Sequence, residues 1–95
     1  MIPTRDDFAR IYIYIKRRPG LFISHRELSA IDGSNASLFK ISAVLYVLEE
    51  AGLINVTAGS VKNGIAVYEA STVRSKIDLM SMPLIKRLNS ICKHA

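Results

Sequence analysis

A chain of 95 residues with 49% apolar content can bury one core and is too apolar for a disordered segment. Its 13 Lys and Arg against 8 Asp and Glu leave a net charge of +5, which favours acidic partners, nucleic acid first, although a solvated basic surface explains the same excess. The single Cys92 excludes an internal disulfide, and no apolar run reaches the ~18–20 residues that cross a bilayer. The acidic start MIPTRDDF is unlike a signal peptide, so the expected compartment is the cytoplasm, with no membrane partner.

The first helix begins after Thr4. Thr4 with Asp7 three residues on has the spacing of a capping box, and Asp6 and Asp7 suit the positive end of the helix dipole. Phe8, Ile11, Tyr12 and Ile15 form its inward stripe. Lys16, Arg17 and Arg18 follow at the negative end, before Pro19-Gly20 stop the helix. Helix-end statistics explain that triplet by dipole complementation; its functional reading is phosphate contact. Tyr12 and Tyr14 read as packing residues rather than base-stacking platforms.

Leu21-Phe22-Ile23 suits a short strand. Ser24-His25-Arg26-Glu27 is a second capping box, opening a helix that turns Leu28 and Ile31 inward, and Asp32-Gly33 turns the chain. His25 has no Asp, Glu or Cys partner in the pattern that ligation or acid-base work requires.

A third helix, about 17 residues long, is expected from Ser34 or Asn35 as its cap, with Leu38, Ile41, Leu45 and Leu48 as its inward face. Val44, Val47 and Phe39 add apolar surface beyond that face. Gly52 stands where a left-handed residue ends a helix. Leu53 to Val56 is the first strand of a hairpin. Gly59, Ser60 and Asn63-Gly64 supply turn chemistry, with Lys62 near the tip, and Ile65 to Glu69 is the return strand. Helix, strand, helix, helix, strand, wing, strand is the order of an α+β winged helix-turn-helix, here over residues 1–70.

Residues 71–95 form an extension. Ser71 to Met82 lacks helical periodicity and reads as extended chain. Pro83 opens a terminal helix with the stripe Leu84, Leu88 and Ile91, outside which lie Ile85, Cys92 and the outward Lys86, Arg87 and Lys93. This helix is expected against the first helix or a partner.

In a helix-turn-helix the start of the second helix enters the major groove. That makes Asn35, Ser37 and Lys40 the candidate reading residues, flanked by Arg26 and Lys62, with Lys16, Arg17 and Arg18 as further phosphate contacts. One lysine and no arginine is thin for base readout, so weak, sequence-independent strand binding or protein docking is expected over operator recognition. No P-loop, dinucleotide fingerprint, Cys-x-x-Cys or His-Glu-x-x-His occurs, so no catalytic residue, metal ligand, cofactor or small-molecule substrate is expected for this chain.

Pro3-Thr4-Arg5-Asp6-Asp7-Phe8 with Tyr12, Leu48-Glu49-Glu50-Ala51-Gly52-Leu53-Ile54, and Ser75-Lys76-Ile77-Asp78-Leu79 before a last Leu-rich helix span nearly the whole chain. In these segments it resembles the C-terminal region of RecJ-type single-stranded-DNA-specific exonucleases. That resemblance implies a non-catalytic accessory domain in DNA repair or recombination. Such a domain contacts single-stranded DNA weakly, or docks on its own catalytic core or a repair protein. The family's DHH-type core binds divalent metal through Asp and His; none of its motifs is present here, so no catalytic residue carries over. The alternative reading is a free-standing winged-helix transcriptional regulator.

Overall fold

The computed structural model describes residues 3–31, 37–57, 59–63, 65–71 and 78–93. The first helix, α1, covers Arg5–Lys16 and opens on the expected capping box, in which the Thr4 hydroxyl accepts from the Asp7 amide and the Asp7 carboxylate accepts from the Thr4 amide. Strand β1, Phe22–Ser24, runs directly into helix α2, His25–Ser29, whose Ser24–Glu27 box has the same reciprocal pairing. Two orphan amides are thereby satisfied at each helix start. Both starts are built within four residues of sequence.

Helix α3, Leu38–Glu50, has 13 residues rather than about 17. Its cap is Ser37, whose side chain accepts from the Lys40 amide, and not Ser34 or Asn35, which lie outside the described residues. The helix ends as the sequence indicates. Gly52 takes φ +76°, its amide donates to the Glu49 carbonyl, and the Leu53 amide reaches back to Leu48, a complete Schellman closure. The inward face differs from expectation. Ile41, Leu45 and Leu48 are buried, but Leu38 is 51% exposed, and Val44 and Val47 are fully buried in its place. Ile41 in the same first turn is buried, so that turn also touches the domain and Leu38 lies on its outer side.

Strands β2, Ile54–Val56, and β3, Ile65–Ala70, complete a three-stranded antiparallel sheet in the order β1-β3-β2. Ile23 pairs with Ala66 and Val56 with Tyr68, so one sheet face carries Ile23, Ile54, Ala66 and Tyr68 into the core. The opposite face carries Phe22, Ile65 and Asn55 into solvent. At the hairpin tip Lys62 and Ile65 exchange both backbone hydrogen bonds, and Asn63 takes φ +53°, the left-handed geometry that tight turns require.

The extension joins the same core. Leu79–Ser81 is a short 310 turn capped by Asp78, where extended chain was expected; residues 72–77 lie outside the described residues. Helix α4, Pro83–Lys93, starts at proline as the sequence indicates. It lies on α3 and on the 310 turn, which in turn rests on α1. Its stripe is rotated from the expected one. Ile85 is completely buried, Leu84 and Leu88 are half-buried, and Ile91 is 60% exposed. Among the described residues, α1 and α3 thus rest on β3 and β2, α2 follows β1, and α4 adds Ile85 to the same core from its place on α3 and the 310 turn.

Candidate nucleic-acid interface

The candidate residues divide according to what the fold has already done with them. Lys40, the one cation of the candidate reading helix, turns away from solvent. Its ammonium lies 2.9 Å from the Asp7 carboxylate, and its side chain is only 20% exposed. Asp7 is the buried charged residue of the core. It accepts from the Thr4 amide at 2.7 Å and the Thr4 hydroxyl at 3.0 Å, and it pairs with Arg10 at 2.9 Å. Burial alone pushes this carboxyl up; the Thr4 amide, Lys40 and the Thr4 hydroxyl together outweigh it and hold the pKa below the ordinary 3.8. Lys40 is therefore a tie between α3 and the start of α1, not a free phosphate contact. Ser37 is likewise occupied as the cap of α3. Asn35 lies outside the described residues.

What remains on the solvent side of α3 follows from helical spacing. Leu38, Phe39, Ser42, Tyr46, Glu49 and Glu50 are exposed, at steps of three and four residues. Among the described residues this stripe holds no cation. It begins apolar and aromatic and ends with two carboxylates, which repel a phosphate backbone.

The exposed cations lie elsewhere. Arg26 on α2 and Lys62 at the hairpin tip are exposed, on separate elements. At the end of α1, Lys16 and Arg17 are exposed, while Arg18 is half-buried over the Tyr14 ring, 3.5 Å from its centroid, and donates to the Tyr14 carbonyl. Arg10, Arg17 and Arg18 line one groove of about 340 Å³ with Ile13, Tyr14 and Ile31. The Tyr14 hydroxyl donates to Glu27; that bond, with burial and the charge of Glu27, raises its pKa above 10.0, against an opposing effect of Arg18. Tyr14 is thus more than a packing residue: it joins α1 to α2 and presents a cation on its face. The chain matches no family model, no curated protein and no solved structure. The site therefore rests on its own geometry.

Sequence reasoning missed the Asp7 hub, Arg10 and the Arg18–Tyr14 stack. The capping box announced half of the first, and Tyr14 and Arg18 stand four apart on one helix face, a spacing that brings side chains together. Their partners Lys40 and Glu27 are remote in sequence, and no local signal marks them. His25 is half-buried, and among the described residues no group of His, Cys, Asp or Glu is placed to hold a metal ion. No helix among them is long and apolar enough to cross a membrane.

Proposed function

We propose that the chain is a non-catalytic accessory domain with a winged-helix arrangement, serving a single-stranded-DNA-specific exonuclease by weak, sequence-independent strand contact and by protein docking. The element order, the strand order β1-β3-β2 and the β2–β3 hairpin with Lys62 at its tip support the winged-helix reading. The nuclease assignment is supported by the sequence resemblance. A chain of this kind takes its divalent metal, if any, from the catalytic core it serves.

One observation carries the functional choice: the solvent face of α3 holds no cation among the described residues, and its last turn carries Glu49 and Glu50. A regulator reading an operator needs bidentate donors on that face, and Lys40 is held by Asp7 instead. Strand contact falls to the arginines at the end of α1. A guanidinium there meets a phosphate, and the Arg18 plane over Tyr14 offers a stacking surface indifferent to base identity.

Titration of labelled single-stranded and duplex oligonucleotides at two salt concentrations tests the reading. The expected result is weak binding that tolerates sequence change and weakens with salt, with Arg17→Glu lowering single-strand affinity more than Lys62→Glu. Tight binding to one duplex sequence that survives high salt overturns it and restores the regulator.

A further inference from the structure

The exposed stripe of α3 has a chemistry of its own. Phe39 is 63% and Tyr46 57% exposed, large values for two aromatic residues two turns apart on one side of a well-packed helix. With Leu38 they leave on the order of 350 Å² of apolar surface open, taking about 200 Å² for each whole side chain. That sum is comparable to the largest apolar patch of an ordinary monomer, a feature that is often functional. The stripe runs from Leu38 to Glu50, roughly 18 Å at 1.5 Å per residue, about the footprint of three turns of a docked helix. Its far end is charged: Glu49 and Glu50 are exposed in the last turn of α3, with no basic residue in that turn. Beside them Tyr46 and Glu50 share a groove of about 300 Å³ with Pro83, Leu84 and Arg87 of α4. Arg87 is the cation of that groove and Glu50 its carboxylate, while Glu49 lies outside it.

We infer that this face of α3 docks an amphipathic helical segment of another protein, with an apolar stripe over Leu38, Phe39 and Tyr46 and Lys or Arg residues against Glu49 and Glu50. The charge pattern selects the partner. On a chain of net charge +5 these acids are a local negative field at the end of an apolar stripe, and a helix in a groove with apolar anchors and a charged rim is a recurring mode of recognition. A nucleic acid is repelled by the same two acids. The proposal deepens the docking half of the function given above and rests on it; the strand-contact half uses α1 and stands or falls separately.

The protein contains no Trp, so a peptide carrying one Trp reports its own binding. The probe is a synthetic Leu/Lys amphipathic helix of about 14 residues, four turns at 3.6 residues each, with the Trp on its apolar face. Trp emission is followed as the full chain is added. The expected result is a saturable blue shift that Phe39→Ser and Tyr46→Ser each weaken about tenfold, as central aromatic anchors do. Glu49→Gln with Glu50→Gln is expected to weaken binding about threefold and to flatten its salt dependence. Phe22→Ser, which removes an equally exposed ring from the sheet face, is expected to leave affinity within about twofold, as non-anchor positions do. All five substituted residues are exposed, and circular dichroism of each variant confirms the fold. The proposal is overturned if the peptide does not bind, if a Leu/Glu version binds as well, or if Phe22→Ser costs as much as Phe39→Ser. It is also overturned if sedimentation velocity shows a dimer of the chain that Phe39→Ser dissociates, since the occupant is then a second copy. Loss of peptide binding with oligonucleotide binding intact removes the docking face alone.

Discussion

Replacing Lys40 with Met tests whether that residue is structural. The substitution keeps an unbranched side chain of similar reach and removes the ammonium 2.9 Å from Asp7. Two unit charges about 4 Å apart attract by about 4 kcal/mol at an effective dielectric of ~20, before desolvation is subtracted. Fully exposed pairs retain less than about 1 kcal/mol, and breaking a fully buried pair costs about 3–5 kcal/mol. With side chains 20% and 9% exposed, this pair lies between those limits, and Arg10 and Thr4 stay behind to hold the carboxylate. A loss of about 2 kcal/mol is expected. At about 4–8 °C per kcal/mol for a domain of this size, the melting temperature falls by about 10 °C. Thermal unfolding by circular dichroism at neutral pH measures it, and a cycle with Asp7→Asn should return a coupling of about 1–2 kcal/mol. The pH dependence has a fixed sign. Asp7 titrates below its ordinary 3.8 in the folded state, so its stabilisation is present above that value and is lost as pH falls through the lower folded-state value. Asp7→Asn should therefore flatten the acid limb of the stability curve. A Lys40→Met protein that melts with the parent but binds single strands more weakly would refute the reasoning and return Lys40 to the nucleic-acid surface.

Gly52→Val should destabilise the chain by more than about 1 kcal/mol, measured by denaturant unfolding. A Cβ at this position meets open space, so the whole cost lies in the backbone at φ +76°, and Gly52→Ala should show most of it; an unchanged midpoint would count against the Schellman closure. Ile85→Ala should cost about 2–5 kcal/mol because the side chain is fully buried, whereas Ile91→Ala, 60% exposed, should stay within about 0.5 kcal/mol. The same melts compare them, and equal losses would mean that α4 is turned the other way. Tyr14→Phe removes the donor to Glu27 and should cost about 1 kcal/mol while leaving the Arg18 stack in place; no change in melting would show that the bond contributes nothing.

Interactions closed within about a turn of chain are legible in the sequence itself. The two capping boxes, the Gly52 stop and the Asn63 turn each satisfy backbone groups with neighbours a few positions away, and Pro83 lacks the amide that would be orphaned at the start of α4, so side-chain type and spacing suffice to place them. Periodicity likewise marks α1, whose expected Phe8, Ile11 and Ile15 are buried while Tyr12 of the same stripe is half-buried. It fails for α3 and α4, where more apolar residues exist than one face can hold. Which of them go inside is decided by what lies opposite. Val44 and Val47 lie inside with Ile41 and Leu48 on the side of α3 that faces the domain, whereas Leu38 lies on the outer side of its first turn, and Ile85 in the first turn of α4 is inside where Ile91 was expected. The functional surface is decided the same way. Lys40 and Asp7 are 33 positions apart, and only their meeting in the fold turns the one cation of α3 into an internal tie and leaves its outer face aromatic and acidic. A charge has its meaning from its nearest opposite charge, and that neighbour is a property of tertiary structure.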